Sequence, residues 1–196
     1  LCLIFTFSFF TAKSSAMGED ILAVNQIYLQ FIYMLAYGVD GFAFATESLV
    51  GKFTGRKDEP GLKKAIRYSF YWGMGLAAGV SLIYATFGDQ LLYLFTDKAH
   101  IYNQALPFLF WLVLAPILNT PGFLWDGVYI GATQSKPMRN TLIVATFLVF
   151  LPLFFIFKPL WSNHGLWLAF SAFMLTRGIM LSLYAKQYIF RLVRMR

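Results

Sequence analysis

Across 196 residues the chain is 59% hydrophobic, 19% aromatic and only 13% charged, whereas soluble domains run at about 45–50% apolar and about 25% charged. Its net charge of +7 does not point to nucleic acid, because the bases fall in loops between apolar runs and build neither a basic face nor a stacking platform. A single cysteine, Cys2, excludes a disulfide framework and a cysteine metal site; it is expected as a small buried apolar residue.

Six apolar runs fill most of the chain and leave no room for a separate soluble domain. They predict an all-α polytopic membrane protein. The sequence opens at Leu1 already inside an apolar run and without an initiator Met, so the expectation is a fragment, or the second part of a longer protein.

Span one covers residues 1–16 and is interrupted by Lys13, a lysine placed to snorkel to the interface. After a turn at Gly18-Glu19-Asp20, span two runs over 21–51, long enough to cross, since about 20 apolar residues suffice. Asn25, Gln26 and Gln30 recur at helical spacing near its outer end, where such side chains join helices by hydrogen bonds. A basic loop, Lys52 to Lys64, follows and contains the turn pair Pro60-Gly61. Span three is 67–87, and its Gly75-x-x-x-Gly79 permits close helix packing. Residues 88–101 are expected as an outer loop with Asp89, Asp97, Lys98 and His100.

Span four, 102–133, is the least regular. Pro107, Pro116 and Pro121 each remove a backbone donor, and Asn119-Thr120-Pro121-Gly122 is the expected break. Broken helices at membrane depth line a cavity or are buried in protein; a kink that serves packing alone is the alternative. A short turn at 134–139 leads to span five, 140–157, with Pro152. Residues 158–164 return outside, and span six, 166–188, ends in a basic tail.

The charges orient this layout. Twelve of the sixteen Lys and Arg fall on one proposed side: Lys52, Arg56, Lys57, Lys63, Lys64, Arg67, Lys136, Arg139, Lys186, Arg191, Arg194 and Arg196. Only Lys98 and Lys158 fall on the other. Excess Lys and Arg marks the cytoplasmic side, so 52–66, 134–139 and the C-terminus are expected there.

Charged residues inside a span are costly and mark a pathway or proton site. At ~1.5 Å per residue, Asp40 lies ~18 Å above Lys52, Asp126 ~15 Å above Lys136 and Arg177 ~14 Å above Lys186. In an apolar slab ~30 Å thick all three sit near the midplane. They either share one polar cavity, with a carboxylate as proton carrier, or form a static buried ion pair of Arg177 with one Asp. Glu47, ~8 Å from Lys52 on the same rise, is expected at the interface. Asn119 and Asp126, seven apart, share a helix face if the register survives Pro121. Asn119, Gln30, Arg177, Trp125 and Tyr129 are candidate cavity or substrate-facing residues. Nucleophilic or metal chemistry has little support: His100 and His164 lie in separate outer loops, and no HExxH, GxSxG or phosphate-binding glycine loop occurs.

The run AVNQIYLQFIYMLAYGVDGFAFATESLVGKFTGRKD resembles the second helix of the C-terminal half in multidrug and toxic compound extrusion (MATE) transporters, most of all their DinF-like branch. FLWDGVYIGATQSKPMRN, NHGLWLAF and FMLTRGIML agree with it, in the family's order, and the likeness covers 9–188. The resemblance implies twelve helices in two six-helix lobes, a central cavity between them, and export of drugs or metabolites coupled to inward H⁺ or Na⁺. The chain would then be the C-terminal lobe of a transporter in a bacterial cytoplasmic membrane, with the N-terminal six-helix lobe missing. The implied partners are the lipid bilayer, a small-molecule substrate and that second lobe, with no cofactor beyond the coupling ion. Asp126 in WDGVYIGAT matches an acidic position implicated in cation coupling in some branches. Those branches also use an acid on the lobe's first helix, where this chain has only Lys13. Asp40 and Arg177 match positions typical of the DinF-like branch.

Three other functions compete. A lipid-linked oligosaccharide flippase of the same superfamily would want more cavity-facing cations than Arg177 and Lys13. An intramembrane enzyme would need a dyad at one depth, for which only Asp40 and Asp126 are available. A purely structural membrane protein has no reason to carry midplane acids, except as a buried ion pair.

Overall fold

A computed structural model describes residues 1–191, so Arg194 and Arg196 of the expected basic tail lie outside the described residues. The described residues are almost wholly helical: α1 Cys2–Ser15, α2 Glu19–Arg56, α3 Glu59–Phe95, α4 Ala99–Ala105, α5 Leu109–Gly131, α6 Ser135–Val144, α7 Leu151–Trp161 and α8 Asn163–Ala185. A 3₁₀ turn, Leu106–Phe108, joins α4 to α5. A π segment, Ala145–Phe150, joins α6 to α7, and another, Lys186–Phe190, extends α8. Five of the resulting rods are long and apolar enough to cross a membrane; α1, with 14 residues, is not among them.

The helices run further than their apolar segments, and the connections shrink accordingly. Where a basic loop was expected, α2 continues to Arg56 and α3 begins at Glu59, so the loop is only Lys57-Asp58. Pro60 and Gly61 are no turn. Pro60 sits in the first turn of α3, where backbone N–H groups lack intrahelical partners anyway, and Asp58 caps the helix by accepting from Gly61 N at 2.9 Å. Lys57 takes a left-handed conformation, φ 57°, which lets Asp58 N reach back to Phe53 O at 3.0 Å and close α2. The outer loop expected over 88–101 likewise reduces to 96–98, because α3 runs to Phe95 and α4 starts at Ala99.

The expected break at Asn119–Gly122 does not occur. Helix α5 passes unbroken through Pro116 and Pro121. It is packed on α2, α3 and α8 at once, and that packing holds the helix although two i→i−4 bonds are missing. Pro121 is itself a packing surface: a Cβ on Gly178 of α8 would stand 3.0 Å from its ring. The irregularity falls instead at Pro107, in the 3₁₀ turn, and ahead of Pro152, which the π segment Ala145–Phe150 directly precedes.

The close approaches use glycines other than those the sequence singled out. A Cβ on Gly75 or Gly79 would meet nothing within 4 Å among the described residues. Gly127 and Gly131 of α5, spaced the same way, lie directly on α2: a Cβ on either would collide with the carbonyl oxygen of Ala43 or Glu47. Small residues at i and i+4 let two backbones meet in this manner.

Two large apolar cores result among the described residues, with a third, small cluster of Leu35, Val39 and Leu124. The outer one is aromatic, with Phe10, Tyr28, Phe31, Phe150, Phe154, Trp167 and Phe170 among its buried members. Many of its ring pairs are edge-to-face, such as Phe9–Phe154 at 5.0 Å and Phe10–Trp167 at 4.9 Å. A buried amide pair sits at its outer end: Asn25 and Asn163 exchange hydrogen bonds at 2.8 and 2.9 Å, Asn25 also donates to Ser14, and Trp167 donates to Asn25. Asn25 therefore joins α1, α2 and α8, as its spacing suggested; Gln26, although exposed, also joins α2 to α1 by donating to Thr11 Oγ1 at 3.4 Å. The inner core gathers Val50, Leu62, Ile66, Val128, Leu181 and Ile189 from α2, α3, α5 and α8. Cys2, expected buried, is only partly covered, being in the first turn of α1. Lys13 lies 5.2 Å above the Phe9 ring.

Candidate functional site

Between the two cores, α2, α5 and α8 bring polar groups to one level. Arg177 of α8 is 2% exposed, and its guanidinium donates to Asp126 Oδ2 of α5 at 2.6 Å. A second guanidinium nitrogen lies 3.5 Å from the Met174 sulfur, and the rings of Phe123 and Phe173 stand 6.0 and 5.9 Å away. The arginine is thus enclosed by apolar matter on every side but one. A charge in such a place must be paired, and Asp126 is the acid within reach.

The pair is asymmetric. Asp126 retains 27% side-chain exposure against 2% for Arg177. One carboxylate oxygen is committed to the arginine, while the open side of the group can meet a proton, a cation or water. Asp40 of α2 is half-buried, on the helix packed against α5. Gly122 of α5 lies against the arginine: a Cβ there would be in ordinary contact with the guanidinium carbon, at 3.7 Å.

Asn119 lies on α5 one heptad before Asp126, ~10 Å along the axis. It is 2% exposed, and among the described residues neither its side-chain nitrogen nor the buried Thr120 hydroxyl has a hydrogen-bond partner. Unpaired buried polar groups are costly, so this turn holds unused bonding capacity two turns of α5 away from Asp126.

The remaining candidates separate into two groups. Gln30 is exposed on α2, ~15 Å from Asp40 along the helix. Trp125 and Tyr129 are buried and face α8, where Trp125 Nε1 donates to Ser182 Oγ and Tyr129 Oη to Leu181 O, both at 2.7 Å. In this structure those two lock α5 to α8. Ser182 and Met174 were not singled out from sequence, since an isolated Ser or Met in an apolar helix carries no distinguishing pattern. Glu47 is half-buried beneath Gly131. Among the described residues no three His, Cys, Asp or Glu side chains gather to hold a metal.

The MatE family model matches residues 1–156. The chain is 33% identical over 182 residues to the DNA damage-inducible protein F of Escherichia coli (strain K12), covering 93% of this chain and 39% of that protein. It is 26% identical over 173 residues to the uncharacterized transporter YisQ of Bacillus subtilis (strain 168), covering 84% of this chain and 37% of that protein. Among solved structures, an outward-facing multidrug resistance MATE family transporter of the MOP superfamily superposes with a TM-score of 0.87 at 20% identity. That superposition covers 98% of this chain and 44% of the other. The chain spans under half the length of these relatives.

Proposed function

Because this chain belongs to the MatE family, we propose that it acts as one six-helix lobe of a secondary transporter that exports drugs or other amphipathic or cationic compounds. Transport is coupled to inward H⁺ or Na⁺ across a bacterial cytoplasmic membrane, with the Lys- and Arg-rich helix ends on the cytoplasmic side. A second six-helix lobe closes the cavity. No cofactor takes part.

The observation that carries this reading is the half-open ion pair of Asp126 and Arg177 between two apolar cores. In the proposed cycle Asp126 is the coupling residue, with Asp40 beside it and Asn119 offering a further polar ligand. Arg177 holds Asp126 in place and competes with the incoming cation. Gln30, Trp125 and Tyr129 belong to the cavity wall or its support, the first by its exposure and the other two by fixing α5 on α8. The flippase reading is less well supported, because the one deeply buried cation on these helices is already neutralised by its own carboxylate. The enzyme reading lacks a reacting group beyond two carboxylates.

The test is Asp126→Asn in the full-length transporter, measured as substrate-dependent proton or Na⁺ movement in everted vesicles. Coupled transport per inserted molecule is expected to fall. Wild-type transport with unchanged pH and Na⁺ dependence would remove Asp126 from the coupling role. If the variant fails to fold, and adding Arg177→Gln restores both fold and transport, the pair is structural and this reading is lost.

A further inference from the structure

The cationic end of the bundle carries a trough with two unlike halves. Between α5 and α8 lies an apolar depression of about 280 Å³, lined by Leu118, Pro121, Leu175, Ile179 and Leu183 among others. Between α3 and α8 lies a depression of about 590 Å³ whose polar lining is Lys63, Lys186, Arg191 and Gln187, with Phe190 beside them. Leu183 belongs to both. The two therefore adjoin, one hydrocarbon-like and one positively charged.

The dimensions match a single molecule. Leu175, Ile179 and Leu183 form an i, i+4, i+8 stripe on α8 with 42%, 50% and 71% exposure, which is the outward face of a helix. From Leu175 to Lys186 is ~16 Å along the axis, close to half of a ~30 Å hydrocarbon core. A chain lying on the stripe would span one leaflet and bring a headgroup to the lysines. Asp58 and Glu59 are acids at this end: Asp58 caps α3, and Glu59 pairs with Lys63 at 2.7 Å, a lysine that also stands 5.9 Å from the Phe190 ring. Exposed Lys64 and Arg67 extend the positive surface beyond Lys63. A protein partner would have no use for an apolar trough one leaflet deep that ends in a ring of cations.

We propose that this trough is a binding site for an anionic phospholipid, with an acyl chain on Leu175–Leu183 and the phosphate held by Lys63, Lys186 and Arg191. Basic pockets between helices at the headgroup level recognise such lipids, and each Lys or Arg strengthens the attraction about fivefold. The site is separate from the Asp126–Arg177 pair and does not depend on the transport reading.

The test uses the full-length protein in detergent, titrated with dioleoyl phosphatidylglycerol or dioleoyl phosphatidylcholine and read by native mass spectrometry. The glycerol lipid should be retained in preference to the choline lipid of identical chains. In K63Q/K186Q its retention should fall about 25-fold, and K63R/K186R, which keeps the charge, should retain it. K136Q/R139Q removes the same charge away from the trough and should leave retention unchanged. Glycerol phosphate at equal concentration should not displace the lipid. Equal retention of the two lipids, an unchanged K63Q/K186Q, an equal fall in K136Q/R139Q, or displacement by glycerol phosphate would each overturn the proposal; the last would mean a free-phosphate site.

Discussion

Replacing Gly127 and Gly131 with alanine probes the closest helix contact in the bundle. Each new methyl would meet a carbonyl oxygen of α2, at Ala43 and at Glu47. These are backbone atoms and cannot rotate aside, so α2 and α5 must move apart by about 1 Å to restore ordinary van der Waals contact. Overpacking of this kind costs about 1–3 kcal/mol per site, against a helix-propensity gain of up to about 1 kcal/mol per glycine replaced. With about 2 kcal/mol of overpacking at each site, the double variant should lose about 2 kcal/mol net. By the scaling for 150–250 residues that lowers the unfolding temperature by about 4–8 °C, and by less in the longer full-length protein. Gly75 and Gly79 provide the internal control, with the same spacing and open space around both. Alanine there should be neutral, or stabilise by the propensity gain alone. Thermal unfolding followed by fluorescence-detected size exclusion compares the two pairs in the full-length protein. If Gly127→Ala/Gly131→Ala unfolds at the parent temperature while Gly75→Ala/Gly79→Ala is destabilised, the assignment of the packed face is wrong.

Asn25→Ala removes the centre of the amide pair and strands Asn163 and the Trp167 N–H; a loss of about 2–4 kcal/mol should appear as a lower unfolding temperature with unchanged ion dependence of transport. Arg177→Gln leaves the partly exposed Asp126 unpaired, whereas Asp126→Asn leaves a guanidinium enclosed. The second should therefore destabilise more, by up to about 3–5 kcal/mol, and equal losses in the same unfolding assay would contradict the asymmetry. For orientation, Cys2 is replaced and single cysteines are placed at Lys57 and Lys158, both exposed, for labelling with an impermeant thiol reagent. Position 158 should label from outside intact cells and position 57 should not. Asn163, the first residue of α8, is buried and would report nothing.

Sequence periodicity located the apolar rods, because hydrophobic runs of this length have one solution in a bilayer. Midplane arithmetic placed Asp126 and Arg177 at one depth, and the structure pairs them. Connection lengths were not legible. Polar and charged residues such as Lys52, Glu59 and Lys63 read as loop, yet helices that leave the membrane continue into water with just such residues. The unbroken course of α5 was hidden for a different reason. Proline chemistry is local, and the packing of α2, α3 and α8 that overrides it is not. Choosing between Gly75/Gly79 and Gly127/Gly131 needed the same non-local knowledge, since the two pairs are identical as patterns. Asn163 looked like a loop residue because nothing near it in the chain announces its partner at Asn25.

The Asp126–Arg177 pair also has a consequence for biogenesis. An arginine at the centre of a helix disfavours its transfer from the translocon into lipid by about 2.5–3.5 kcal/mol. Its counter-charge on α5 emerges 51 residues earlier. Helix α8 thus meets a bilayer in which its compensating carboxylate is already waiting, and its insertion becomes conditional on α5 having been threaded correctly. The same two side chains that sit at the centre of the finished bundle set an order of assembly, and make α8 a checkpoint for the helices synthesised before it.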